Sequence, residues 1–141
     1  MRTRLWILGL LAVVVMVLAV DRMAAAVRLN NILIETSVDP PSVVADGISR
    51  TRITVRVTEN GQPRAHDLLQ IFLVAGSGRV LPGWVNTDNE GMAVIEFTPN
   101  QYSVYDPVDG AELKILDMNI GRLIEVGKSK VINIPLLKPE E

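Results

Sequence analysis

The chain has 141 residues, no cysteine, a formal net charge of -2, 48% apolar residues and only 4% aromatic ones. Without cysteine it has no disulfides, thiolate metal sites, cysteine nucleophile or lipidated cysteine. Residues 1–20 hold two arginines and no acid, and the remaining 12 basic side chains are interspersed with all 16 acidic ones, so there is no basic footprint for nucleic acid. With so few aromatics the core has to rest on Val, Ile and Leu, which suit strands.

Met1–Arg4 is short and basic, and Leu5–Val20 is an uncharged apolar run closed by Asp21-Arg22. Counted from Thr3 it makes a helix of roughly 27 Å, close to the thickness of a hydrocarbon core, so residues 3–20 are expected to meet the lipid bilayer. Positive charge before the run predicts a cytoplasmic N-terminus, with the rest of the chain outside the inner membrane. Two outcomes stay open. Either the helix is retained as a single-pass anchor with Met23–Val27 at the interface, or it is a signal removed at Ala24-Ala25-Ala26, leaving a secreted protein. The run has no Glu near its start, unlike a type IV pilin.

From Leu29 onward short apolar runs alternate with turn residues. Ile32–Val38 reads as a first strand, interrupted by Pro40-Pro41 and resumed over Ser42–Ala45. Arg50–Thr58 alternates cleanly, with Ile53, Val55 and Val57 on one face, and Asn60-Gly61 suits a tight hairpin. Leu68–Val74 and Met92–Thr98 follow as strands, with Arg79–Leu81 and Trp84–Asn86 as short pieces on either side of Pro82-Gly83 and Thr87–Gly91 as a turn. A loop over Pro99–Gly110 leads to Glu112–Met118 and Val131–Leu136, with Leu123–Val126 either before or within the last strand. Some seven short strands at regular spacing predict an all-β antiparallel sandwich, or a small barrel. The expected organisation is 1–28 anchor or signal, 29–137 sandwich and 138–141 frayed tail.

Pro41–Gly47, Thr51–Val57 and Asn60–Pro63, then Leu69–Leu73 with Gly76, then Thr87–Ile95, resemble the bacterial immunoglobulin-like (Ig-like) domain of the invasin and intimin type. The agreement is best over residues 38–98. Past Pro99 the loop is longer than is usual in that family, which leaves the register of the last two strands open. The resemblance implies an Ig-like β-sandwich from an envelope or surface protein. In that family such modules are commonly tandem spacers behind an adhesive tip, whereas here there is one module.

Little in the sequence points to catalysis, and no cofactor or metal is expected. His66 reads as a solvated loop residue, and Ser77 in Ala-Gly-Ser-Gly does not form a nucleophile elbow. Asp106, Asp109 and Asp117 fit no calcium-loop spacing and read as a hydrated acidic loop. The candidate interaction residues are Trp84 (an outward anchor or a core plug), Tyr102 and Tyr105 in the long loop, and Arg50, Arg52 and Arg56 on one strand face. The arginines face either an anionic partner or cross-strand acids such as Glu96. The expected function is a non-enzymatic interaction, accessory or assembly subunit with protein partners in a membrane or surface complex. The alternative is a released adhesin-like or glycan-binding module.

Overall fold

The computed structural model describes residues 2–105, 107–118 and 127–140. Helix α1 (Arg2–Asn31) passes without interruption through Ala24–Ala26, and strand β1 (Ile32–Asp39) follows it with no intervening loop. The helix therefore reaches beyond the expected anchor boundary at residue 28.

The strands after β1 are β2 (Val43–Val44), β3 (Thr51–Glu59), β4 (Gln62–Pro63), β5 (Leu68–Ala75) and β6 (Gly78–Leu81). They are followed by β7 (Trp84–Asn86), β8 (Met92–Pro99), β9 (Gly110–Asp117) and β10 (Lys128–Leu137). One sheet has the order β1-β3-β8-β6, with β4 hairpinned onto β3, and the other the order β2-β10-β9-β5-β7. Among the described residues ten strands stand where some seven were expected, because the short pieces β6 and β7 pair as strands and β4 extends the Asn60-Gly61 hairpin, and the others differ by a few residues at their ends. Leu123–Val126 lies outside the described residues.

The alternation in the sequence is what builds the two layers. Ile53, Val55 and Val57 of β3, Ile95 and Phe97 of β8, and Leu113 and Ile115 of β9 are all fully buried between the sheets. Their neighbours in sequence face outward, as a period of two requires. The first strand is divided between the layers. β1 pairs antiparallel with β3, the chain crosses at Pro40-Pro41, and β2 then lies parallel to β10, with Val43 beside Leu136. The Thr51 hydroxyl donates to the Pro40 carbonyl at 2.6 Å and holds the crossover to the first sheet. The register left open by the sequence is set by β9 and β10 pairing from Lys128 beside Asp117 to Pro135 beside Gly110.

The turns follow their side-chain chemistry. Asn60 (φ 53°) and Gly61 (φ 79°) make the positive-φ pair of a tight hairpin. The Asp88 carboxylate accepts from the Glu90 and Met92 amides at 3.0 and 2.8 Å, and Asp46 accepts from the Ile48 and Ser49 amides at 2.9 and 2.6 Å. Gly91, at φ 73°, has no room for a side chain, since a Cβ there would stand 2.6 Å from the Val57 carbonyl oxygen. The helix end, the Asn60-Gly61 hairpin and the start of β10 lie at one pole of the sandwich. The 45–49 turn and the loop residues 99–105 and 107–109 lie at the other.

Phe97 heads the largest fully buried side chains and packs between the layers toward the end of β8, in register with Thr51 and Val80. Phe97→Ala is expected to lower the unfolding free energy of the full chain in detergent by about 3–5 kcal/mol, read as a shifted urea midpoint.

Candidate interaction surfaces

At the helix-proximal pole a chain of charges ties α1 to the sandwich. Arg28 in the last turn of α1 donates to Glu59 at 3.0 and 3.3 Å, and Glu59 also accepts from Arg64 at 2.8 Å. The buried Arg64 guanidinium makes a two-pronged pair with Asp67 and lies 3.8 Å from the Asp117 carboxylate. Thr87 locks this corner by accepting from the Asp67 amide at 2.9 Å and donating to the Arg64 carbonyl at 2.6 Å. Across the pole Lys128 donates to the carbonyls of Leu29 (2.7 Å) and Ile32, occupying acceptors at the end of the helix. Ala25 is 2% exposed, and Leu29 packs against the core.

Electrostatics follow from this arrangement. The Arg28 hydrogen bond, helped by the charges of Arg28 and Arg64, holds the Glu59 carboxyl below the ordinary glutamate range against the cost of burial. Burial alone would lower Arg64, but the hydrogen bond and charge of Asp67, with Asp117 and Glu59, outweigh it and raise Arg64 above its usual value. Asp117 thus corrects one expectation. It is no member of a hydrated acidic loop but a fully buried end-of-strand carboxylate facing an arginine 53 positions away. Asp109 is exposed, with its carbonyl accepting from Leu136 at 2.9 Å, and Asp106 lies outside the described residues. Among the described residues no three His, Cys, Asp or Glu side chains are grouped to hold a metal ion.

The sequence-derived candidates fall on three separate surfaces. Trp84 is 54% exposed and so is an outward residue rather than a core plug. It stands on the outer face of the second sheet opposite Gln70, on a face that also carries Phe72 and Val131 on either side of Lys114. Phe72 and Val131 carried no signal of their own, because each is one apolar residue in an alternating strand. Tyr102 and Tyr105 are at the far pole. Tyr105 is 96% exposed beside exposed Val104, while Tyr102 is half-buried, donates its amide to Ala45 at 2.7 Å and carries Lys138 over its ring at 5.4 Å. Tyr102 lines a small cavity of about 140 Å³ with Ser77, Asn100 and Leu136. Arg52 and Arg56 project from the outer face of β3, while Arg50, just ahead of the strand, pairs with Glu96 at 3.2 Å. In register Arg52 lies beside Asp39 and Glu96, and Arg56 beside Glu35, so the arginine face is largely balanced by its own cross-strand acids.

His66 and Ser77 both serve turns. His66 is exposed at φ 62° with its amide donating to Thr87 at 3.0 Å, and the Ser77 hydroxyl accepts from Asn100 at 2.5 Å.

Two stacked sheets, with the first strand shared between them and β2 set parallel to the last strand, define an Ig-like β-sandwich. In particular, this is the fold of the intimin Ig-like domains. The intimin D0-D1 domain superposes with a TM-score of 0.57 at 15% identity over 74% of this chain and 48% of that one. The D00-D0 domain of intimin gives 0.56 at 16% identity over 73% and 46% of the two chains. A C-terminal 282-residue intimin fragment in complex with the intimin-binding domain of translocated intimin receptor gives 0.54 at 16% identity over 72% and 32%. The chain spans less than half the length of each. No family model matches the chain, and no curated protein sequence does.

Arg64→Met leaves Asp67 and Asp117 buried without their cation and is expected to cost about 3–5 kcal/mol, against under about 1 kcal/mol for the exposed Arg50→Ala. Because the Glu59 pKa is depressed by folding, its contribution is full above the ordinary glutamate range and is lost as the pH falls through the lower, folded value. Acid titration of thermal stability should therefore show a destabilising limb below about pH 4, which Glu59→Gln flattens in part.

Proposed function

We propose that the chain is a non-enzymatic, membrane-anchored Ig-like protein of the bacterial cell envelope. It acts as an interaction, accessory or assembly subunit of a membrane or surface complex. The observation that carries this reading is the pinned junction. One helix among the described residues is long and apolar enough to cross a membrane, and it continues unbroken into the sandwich. Its last turn is held by Glu59 and Lys128. Such a junction gives a retained helix something to do, namely to set the height and tilt of the sandwich over the bilayer. Cleavage near Ala26 would cut inside a docked helix beside the buried Ala25, so the retained anchor fits better than the released module. The basic N-terminal residues favour a cytoplasmic N-terminus, with the sandwich on the periplasmic or extracellular side.

Protein binding is supported by the exposed aromatic residues on two surfaces and, by analogy of fold, by the intimin fragment that binds a receptor domain. A non-enzymatic role is supported by His66 and Ser77 being engaged in turns. A released binding module is the second reading, favoured by the exposure of Val104 and Tyr105 at the far pole.

A C-terminally tagged chain purified from its native membranes in mild detergent is expected to retain its first 20 residues and to co-elute with stoichiometric protein partners, both read by mass spectrometry. A cleaved, water-soluble and partnerless protein would overturn the proposal.

A further inference from the structure

Resting on the reading of this chain as an anchored interaction subunit, we infer that the outer edge of β1 pairs with an extended juxtamembrane segment of a partner protein that runs toward the bilayer. Consecutive residues of a strand direct their backbone groups to opposite sides. The Val57 amide donates to the Gly91 carbonyl, so the odd-numbered residues of β3 serve β8 and the even-numbered ones serve β1. The register then joins Leu33, Glu35, Ser37 and Asp39 to β3 and turns the amides and carbonyls of Ile34, Thr36 and Val38 away from it. Two contacts agree with this phase. Asn31 accepts from Asn60 on the β3 side, while the carbonyl of Ile32 turns outward and takes the Lys128 ammonium. Among the described residues no strand covers the outward groups of Ile34, Thr36 and Val38.

Proteins guard such edges with proline, lysine or shortness, and here the other edges are guarded. β6 and β7 are four and three residues long. The open side of β10 directs odd-numbered residues outward, as the Leu137 carbonyl accepting from Ala45 shows, so Pro135 removes a donor there. Lys130, paired in register with the core residue Ile115, points inward at that rim. β1 has eight residues with neither proline nor lysine.

The geometry selects the occupant. Unpaired amides and carbonyls at every second residue call for an extended backbone, and antiparallel pairing with β1 sends that backbone toward the helix end. A second copy is a poor occupant, because antiparallel β1–β1 pairing would place the two anchors at opposite ends of the dimer. Residues 21–31 lift the start of β1 at most about 16 Å from the apolar run, within reach of a partner's juxtamembrane segment. Inward-facing side chains of the added strand would meet Lys130, which has no ion-pair partner among the described residues, so the segment should carry an acidic residue there.

The test uses the full chain in nanodiscs and the peptide acetyl-Thr-Val-Thr-Asp-Thr-Val-Thr-amide, followed by amide exchange in NMR. Exchange at Ile34, Thr36 and Val38 should slow at least tenfold at saturation, while Leu33, Glu35 and Ser37 change little. Thr36→Pro removes an outward donor without touching β3 pairing and should weaken binding tenfold or more. Lys130→Glu should weaken the peptide about two- to fivefold and favour its Asp-to-Lys version by a similar factor. If Thr36→Pro does not fold, this charge swap decides. Protection at β6, β7 or β10 instead, none at millimolar peptide, or indifference to both substitutions overturns the inference. Native partners retained by folded Thr36→Pro would refute the edge alone, whereas a wild-type chain with no partners would refute the interaction reading itself.

Discussion

Glu59 accepts from two arginines at once, one on the last turn of the helix and one buried in the sandwich, and much else depends on that double acceptance. Without it the α1–β1 connection would be a helix followed by a strand, free to bend at the joint. With it, and with Lys128 bridging the carbonyls of Leu29 in the helix and Ile32 in β1, the joint is clamped from two directions. The clamp is polar because it sits where the chain leaves the apolar helix and enters a hydrated surface. It is partly buried, and a hydrogen bond is electrostatically stronger at the lower local dielectric there than in water. Asp67 and Asp117 complete the charge balance around Arg64, so the clamp and the base of the core form one unit.

Given that fixed base, the surfaces divide by height and by sheet. The first sheet presents a charged face whose arginines are set opposite its own acids. The second presents Trp84, Phe72 and Val131 around Lys114, and the far pole presents Val104 and Tyr105. An anchored protein with a flexible neck could offer any of these to a partner in any orientation. Here the clamped joint offers each in a set direction relative to the helix.

The fold was largely legible in the sequence because strand alternation and turn chemistry are local. Ile53, Val55 and Val57 announce a buried face within five residues, and Asp46, Asn60 and Asp88 announce turns by their own side chains. The junction was not legible, because Arg28, Glu59, Arg64 and Asp117 are brought together by topology and share no spacing. Asp117 shows the limit most clearly. Read with its neighbours it is one more acid near a loop, and only the pairing of β9 with β5 and β10 carries it inside against Arg64. Trp84 was open between core and surface because a three-residue strand shows too little alternation to choose. The pairing of Gln70 with Trp84 chooses the outer face.

The shared first strand has a mechanical consequence. β1 rises from the helix end in one sheet, and β2 lies parallel to β10 in the other, so strands at both margins run along the line from the helix-proximal pole to the far pole. A pull between the helix and the far pole would therefore act along those strands and shear their backbone hydrogen bonds together. A pull across the strands would instead peel them one at a time, at lower force. The fold therefore resists tension between the helix and the far pole better than tension across its sheets.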